Sequence, residues 1–204
     1  MWSHAVLLLV QAAVLSLPPA ETKGGPPLRD ALAARRSTRE FSPKPLPLPV
    51  LSNLLWAAYG INRPAEGGRT APSAHNWQAV RVYAVLPEGI YLYEAREHRL
   101  RLIAAGDHRP LAGTQDFVDT APLNLVLVAD LSKTRKAEGD SDTDVAEWMA
   151  AEAGAITQNV ALYCAVEGLG NVVRAGVQRE RFARAAKLEP ATRIVLAQTV
   201  GYLK

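Results

Sequence analysis

Arg35-Arg36-Ser37-Thr38-Arg39-Glu40-Phe41 is the stretch on which the reading of this chain turns. Three guanidinium groups fall within five residues. A guanidinium is planar, binds oxygens in bidentate fashion and stays charged at any working pH. Such a cluster suits a phosphate or the oxygen-rich edge of a large cofactor ring. Taken alone it also suits a solvated basic helix end that complements the helix dipole, and that is the simpler reading. A short helical pattern precedes it over residues 28–36, with Leu28 and Leu32 one turn apart. Beyond Phe41 the chain runs into Pro43, Pro45, Pro47 and Pro49, a density that forbids helix and makes a rigid extended connection.

Working outward, 204 residues suffice for one domain with a substantial core. The chain is 49% hydrophobic and 21% charged, with a formal net charge of +3. Basic residues are scattered among acids, so no nucleic-acid stripe exists. The single cysteine, Cys164, excludes an internal disulfide and a cysteine-rich metal site. It lies in a long apolar helical pattern and reads as a buried thiol. His75, His98 and His108 lack metal-ligand spacing, and His98 and His108 read as surface residues in turns. No metal site is expected.

Residues 1–20 contain no Lys, Arg, Asp or Glu, and an almost wholly apolar run ends at Pro18-Pro19-Ala20. The segment reads as a secretory signal processed near Ala20, which places the protein in the periplasm or outside the cell, with no membrane span after its removal. The missing basic side chain ahead of the run and the proline at position −3 argue the other way. Residues 21–27 read as a linker and 28–204 as the domain.

Along the domain, Pro49 opens a helix with Leu51, Leu54, Leu55 and Ala58 on one face, stopped at Gly60. Residues 61–75 form a long Gly/Pro-rich loop of the kind that is functional or disordered. A strand follows over 79–86, then a hairpin over 90–93 and 100–103. Residues 107–117 are predicted as a short helix. Residues 123–129 are a strand buried on both faces, and 130–144 a charged excursion. Residues 146–167 carry the strongest helical pattern, too apolar to face water, so that helix belongs at the domain centre or a subunit interface. A strand at 171–175, a helix at 178–187 and a strand at 194–201 complete the order. Helices and strands are mixed rather than alternating, which predicts an α+β layered sheet.

Several sites are absent. Gly168-Leu169-Gly170 follows a helix and has Val173 where a dinucleotide fingerprint needs glycine. No phosphate-binding loop and no Gly-x-Ser-x-Gly elbow occur.

Three stretches remain. Residues 35–41 resemble the Arg-Arg-Ser-x-Arg-x-Phe opening of the nitroreductase family of flavin enzymes. Pro72-Ser73-Ala74-His75-Asn76-Trp77-Gln78 resembles that family's Pro-Ser-x-x-Asn-x-Gln loop. Gly154-Ala155-Ile156-Thr157-Gln158-Asn159-Val160, continuing to Gly168-Leu169-Gly170, resembles its central helix and exit. Order and spacing agree over residues 28–204. The hairpin at Gly89-Ile90-Tyr91-Leu92-Tyr93 is closer to the branch that includes azoline-oxidising enzymes.

The resemblance implies a nitroreductase-like layered fold: a central, mostly antiparallel sheet flanked by helices, with the long helix at a dimer interface. It implies a homodimer with FMN at that interface. Arg35, Arg36 and Arg39 would hold the phosphate and the pyrimidine edge, and Ser37 the phosphate or ribityl chain. Pro72, Ser73, Ala74 and Asn76, from the second subunit, would line the ring. Ala175 and Gly176 would set backbone N–H groups against N5, and Lys204 is the candidate for a C-terminal phosphate contact. The implied activity passes electrons by ping-pong from NAD(P)H or another reduced donor to a small organic acceptor such as a nitroaromatic or quinone. Hydride transfer needs no protein nucleophile, so no catalytic acid or base is assigned. A flavin-binding protein without turnover and an azoline-type dehydrogenase are the alternatives.

Overall fold

The computed structural model describes residues 14–204 of the chain. In chain order the elements are β1 (Val14–Ser16), α1 (Leu28–Ala34), α2 (Leu48–Tyr59), the short pair β2 (Ile61–Arg63) and β3 (Gly68–Arg69), β4 (Val80–Leu86), β5 (Gly89–Glu94) and β6 (Arg99–Ala105). They continue with α3 (Phe117–Thr120), β7 (Leu123–Asp130), α4 (Asp142–Val166), β8 (Leu169–Arg174), α5 (Arg179–Ala185) and β9 (Thr192–Tyr202). Seven strands form one sheet in the order β1-β6-β5-β4-β7-β9-β8. Every pairing in it is antiparallel. This is the expected α+β layered architecture.

β7 lies inside the sheet, between β4 and β9, where both of its apolar faces are covered. Side chains alternate across a strand, so Leu123, Leu125, Leu127 and Ala129 pack toward α2 and α4, while Val126 and Val128 pack toward Phe182 of α5. Asn124 is the polar exception along the strand's length and is fully buried, and buried Asp130 closes its end.

α2 starts at prolines, where the missing N–H costs nothing, and buries Leu51, Leu54, Leu55 and Ala58. At its end a Cβ on residue 60 would stand 2.4 Å from Trp56 Cδ1, so only glycine fits there. α4 begins at Asp142, four residues ahead of the predicted start, because Ser141 and Asp144 form a capping box. Its inner face, Val145, Met149, Ala153, Ile156, Val160 and Cys164, is buried, while Ala150, Ala151 and Gln158 are exposed. Gly168 ends the turn beyond it at φ +66°.

The structure differs from the sequence reading in five places. Residues 61–75 are not one loop: β2 and β3 pair, and Ala74–Asn76 makes a 3-10 turn. Residues 107–117 hold a 3-10 turn at Arg109–Leu111 with α3 beginning only at Phe117, since Pro110 and Gly113 interrupt the helical run. The 130–144 excursion is tied to the body by Ser132 N donating to Asp130 Oδ1, by a 3-10 turn and by the Lys136–Asp142 ion pair. His98 is a half-buried hydrogen-bonding residue rather than a surface one. The fifth difference concerns the N-terminal segment.

Residues 1–13 of the expected signal lie outside the described part. From Val14 onward the segment belongs to the sheet: Val14, Leu15 and Ser16 pair with Arg101, Leu100 and Arg99, and Leu17 is buried. Ser52 Oγ donates to Pro18 O at 2.6 Å and Glu21 N donates to Asn53 Oδ1 at 2.9 Å. The expected boundary at Ala20 therefore falls inside packed structure.

Candidate functional site

The arginine stretch is extended and runs against the end of the sheet. Thr38 N donates to Asn171 O at 2.8 Å, Ser42 N donates to Tyr202 O at 2.9 Å, and Phe41 bridges Leu203. Phe41 is buried against Phe117, whose ring centroid is 5.5 Å away. These anchors hold Arg35, Arg36, Ser37 and Arg39 on the rim. Arg35, Arg36 and Thr38 line a cavity of about 350 Å³ with Gly168, Asn171 and Leu203. Arg36, Ser37 and Arg39 are exposed, and among the described residues none of the three arginines forms an ion pair. Like charges crowded this way repel one another unless an anion joins them. Lys204 is exposed beside the same strand end, one residue past Leu203.

Ala175 and Gly176 lie at the opposite end of β8. Arg174 Nη1 donates to Gly176 O at 3.1 Å, and Arg179 Nη2 to Ala175 O at 3.2 Å. Both carbonyls are thus engaged by arginines, and what the turn offers a ligand is donors rather than acceptors. Gly176 is pressed closely: a Cβ there would meet Thr114 Oγ1 at 2.8 Å and Gln115 Nε2 at 3.5 Å. Gln115 is exposed and presents both an amide donor and an amide acceptor beside this turn. Sequence reading missed it, because a glutamine in a 3-10-rich connection carries no pattern. From Asn171 to Ala175 the strand rise gives about 13 Å between the arginine contact and the turn.

The Pro72–Gln78 loop sits elsewhere. Ser73 Oγ donates to Glu152 Oε2 at 2.8 Å and accepts from Gln78 N at 2.8 Å. Glu152, 2% exposed in the middle of α4, also accepts from the Tyr59 hydroxyl and from Val80 N. Burial and the adjacent carboxylate push the Tyr59 phenol well above its usual value. Arg69 lies over the Tyr59 ring at 4.6 Å and donates to Gln78 Oε1 at 2.9 Å. This clasp supports a strained backbone, since His75, Asn76 and Gln78 all have φ near +50°. Each such residue costs on the order of 1–3 kcal/mol, and such strain gathers at functional sites. Pro72, His75 and Asn76 remain exposed; His75 stacks on Trp77 at 4.8 Å between centroids, and Trp148 meets His75 edge-on at 5.4 Å and Trp77 tilted at 5.7 Å. Sequence reading placed Ser73 on the cofactor ring; here its hydroxyl faces the protein.

Within one chain these parts do not converge. Glu152, which holds the loop, precedes Cys164, beside the arginine cavity, by twelve residues of α4, so helix rise separates them by about 18 Å. Between α4, β9 and the excursion lies a cavity of about 760 Å³ lined by Leu131, Val145, Met149, Val195 and Arg179. Arg179 joins its wall to the Ala175 turn. Cys164 is buried beside the inner face and its thiol is pushed up by desolvation, which excludes a nucleophilic role.

The profile of the Nitroreductase family matches residues 32–202, and the chain belongs to that family. A protein of Methanocaldococcus jannaschii provisionally named a nitroreductase is 34% identical over 155 residues, covering 71% of this chain and 76% of that protein. The crystal structure of a protein from Ralstonia eutropha JMP134, likewise provisionally named, is 42% identical with a TM-score of 0.88, covering 95% of this chain and 90% of the other. A second crystal structure, from Desulfovibrio desulfuricans in complex with FMN, shares the fold at 19% identity and a TM-score of 0.61, with 88% of each chain covered.

Proposed function

We propose that this protein is an FMN-dependent oxidoreductase acting as a homodimer. The observation that carries the reading is the layout along β8. Three guanidiniums with no ion-pair partner among the described residues stand at one end, and a donor turn with both carbonyls engaged stands at the other. The anionic tail of a flavin mononucleotide matches the first end, and its ring nitrogens and carbonyls match the second. The donor set therefore fits the group. When bound, FMN takes two electrons and a proton from a reduced donor and returns them to an acceptor.

The chain's own residues bind and orient. Arg35, Arg36 and Arg39 with Ser37 hold the phosphate end, and Lys204 reinforces it. Ala175 and Gly176 direct N–H donors at the ring, and Gln115 reads the polar ring edge. Pro72, Ala74 and Asn76 close the site from a second copy, because Glu152, which anchors their loop, stands about 18 Å along α4 from Cys164 beside the arginine cavity of its own chain. In this role Ser73 acts through the clasp, holding the loop on Glu152. The cavity of about 760 Å³ beside Arg179 receives the small organic acceptor, a nitroaromatic or quinone. NAD(P)H is the donor if the protein works inside the cell. Export is proposed only on the apolar N-terminal segment, and a periplasmic protein would use another reductant.

An absorbance spectrum of the purified protein, before and after anaerobic NADPH, tests the reading. Flavin bands that bleach are the expected result. Bands that persist point to a different donor, and no bands after added FMN refute the proposal. In Arg39→Ala, FMN retention through desalting falls at least about tenfold, the worth of one charged hydrogen bond, while the fold persists.

A further inference from the structure

Arg174, 6% exposed, ends β8 on the sheet face opposite α4. Four of its five N–H hydrogens have partners. Nε donates to Thr199 Oγ1 at 3.0 Å, Nη1 to Ala112 O at 2.9 Å and Gly176 O at 3.1 Å, and Nη2 to Asn124 Oδ1 at 3.0 Å. All four acceptors are neutral. Among the described residues no carboxylate pairs with it. Thr199 in turn donates to Asn124 Oδ1 at 2.6 Å, so the one polar side chain inside the apolar β7 serves to seat this arginine.

An arginine is a costly way to hold a turn. A buried charge is normally matched by an opposite charge, and a neutral donor would satisfy the same carbonyls at less desolvation cost. Burial lowers the guanidinium to about 10, so it keeps its charge at neutral pH. Of the two backbone carbonyls it reaches, Ala112 is buried and Gly176 is half-buried, in the turn beside exposed Ala175.

We propose that Arg174 is a positioning residue with an electrostatic function: it fixes the Ala175–Gly176 turn, and its uncompensated charge favours the reduced, anionic state of the flavin bound there. This rests on the flavin reading above. A hydride equivalent, two electrons and one proton, taken by the neutral oxidised ring from an organic donor leaves one net negative charge on the ring, and the donor departs oxidised. The missing counter-ion of Arg174 then appears only on reduction. Differential binding of this kind raises the midpoint potential, whereas a purely structural contact binds both redox states alike.

The test measures FMN affinity and the two-electron midpoint potential in the wild type and in Arg174→Gln, Arg174→Met and Arg174→Lys. In the two neutral variants reduced FMN should lose at least about tenfold more affinity than oxidised FMN, a fall of about 30 mV for each tenfold. Arg174→Met is included because replacing a buried charge by an apolar chain is often tolerated. Arg174→Lys keeps the charge and should keep the potential while weakening both affinities. Equal loss of both states in the neutral variants overturns the proposal, as does a fall in the lysine variant equal to theirs. A wild type that binds no FMN refutes the flavin reading itself and is seen before any variant is compared.

Discussion

Glu152 is the carboxylate whose surroundings are most demanding. Tyr59, Ser73 and Val80 all donate to it inside a nearly closed site. Removing the acceptor strands two hydroxyls and an amide, so Glu152→Ala should lower unfolding stability by about 3 kcal/mol in a urea titration, far more than Tyr59→Phe. His98 carries a different prediction. Ser52 Oγ has one hydrogen and gives it to Pro18 O, so His98 Nε2, 2.7 Å away, is the donor to Ser52, and Nδ1 accepts from the Tyr93 hydroxyl at 2.9 Å. That is a neutral imidazole. Burial holds its pKa below the usual 6.5, opposed by the Pro18 carbonyl. Because the folded value is depressed, the unfolded chain takes up more protons as pH falls through 6.5, and stability present above that pH is lost below it. Comparing urea midpoints at neutral pH and near pH 5 should show a smaller drop in His98→Gln than in the wild type.

At the scale of elements, β1 decides whether the edge of β6 is covered. The sequence reads residues 1–20 as one apolar segment, because a run that enters a membrane pore and a run that adds an edge strand look alike in composition. What separates them is the receiving edge: Arg99 to Arg101 on β6, Ser52 on α2 and His98, all far away in the chain. A chain starting at Val14 should be more stable than one starting at Glu21 by roughly 2–3 kcal/mol, the sum of burying Leu17 and one hydrogen bond. Equal thermal midpoints for the two would mean that β1 contributes nothing. α1 shows the same limit from the other side. Leu28 and Leu32, one turn apart, are 63% and 52% exposed, while Ala31 packs inward.

At the scale of the molecule, the exposed leucines of α1 and the exposed Ala150 and Ala151 of α4 leave apolar surface that one chain does not cover. With the loop and the arginine cavity held apart on α4, the proposed dimer makes a definite prediction. Sedimentation should give a dimer carrying two FMN, and Leu32→Glu should yield monomers that lose FMN together with the partner's loop. Flavin retained by a monomer would place the whole site within one chain.

The α+β layered class, the buried strand β7, the long helix α4 and the family were all legible from residue order, because alternation, helical period and short-range motifs are local properties of the chain, while the antiparallel pairing came with the resemblance. Gly60, the prolines of α2 and the buried Cys164 were legible for the same reason. Only the tertiary structure decided the rest. It set the Ser73 hydroxyl on Glu152, seventy-nine residues on. It brought Gln115 beside Gly176, assigned Val14–Ser16 to the sheet, and left Arg174 buried with no carboxylate partner among the described residues. Each of these depends on which groups meet across sheet order and layer packing, and the energy of a buried polar group is set by those distant neighbours rather than by its own position in the sequence.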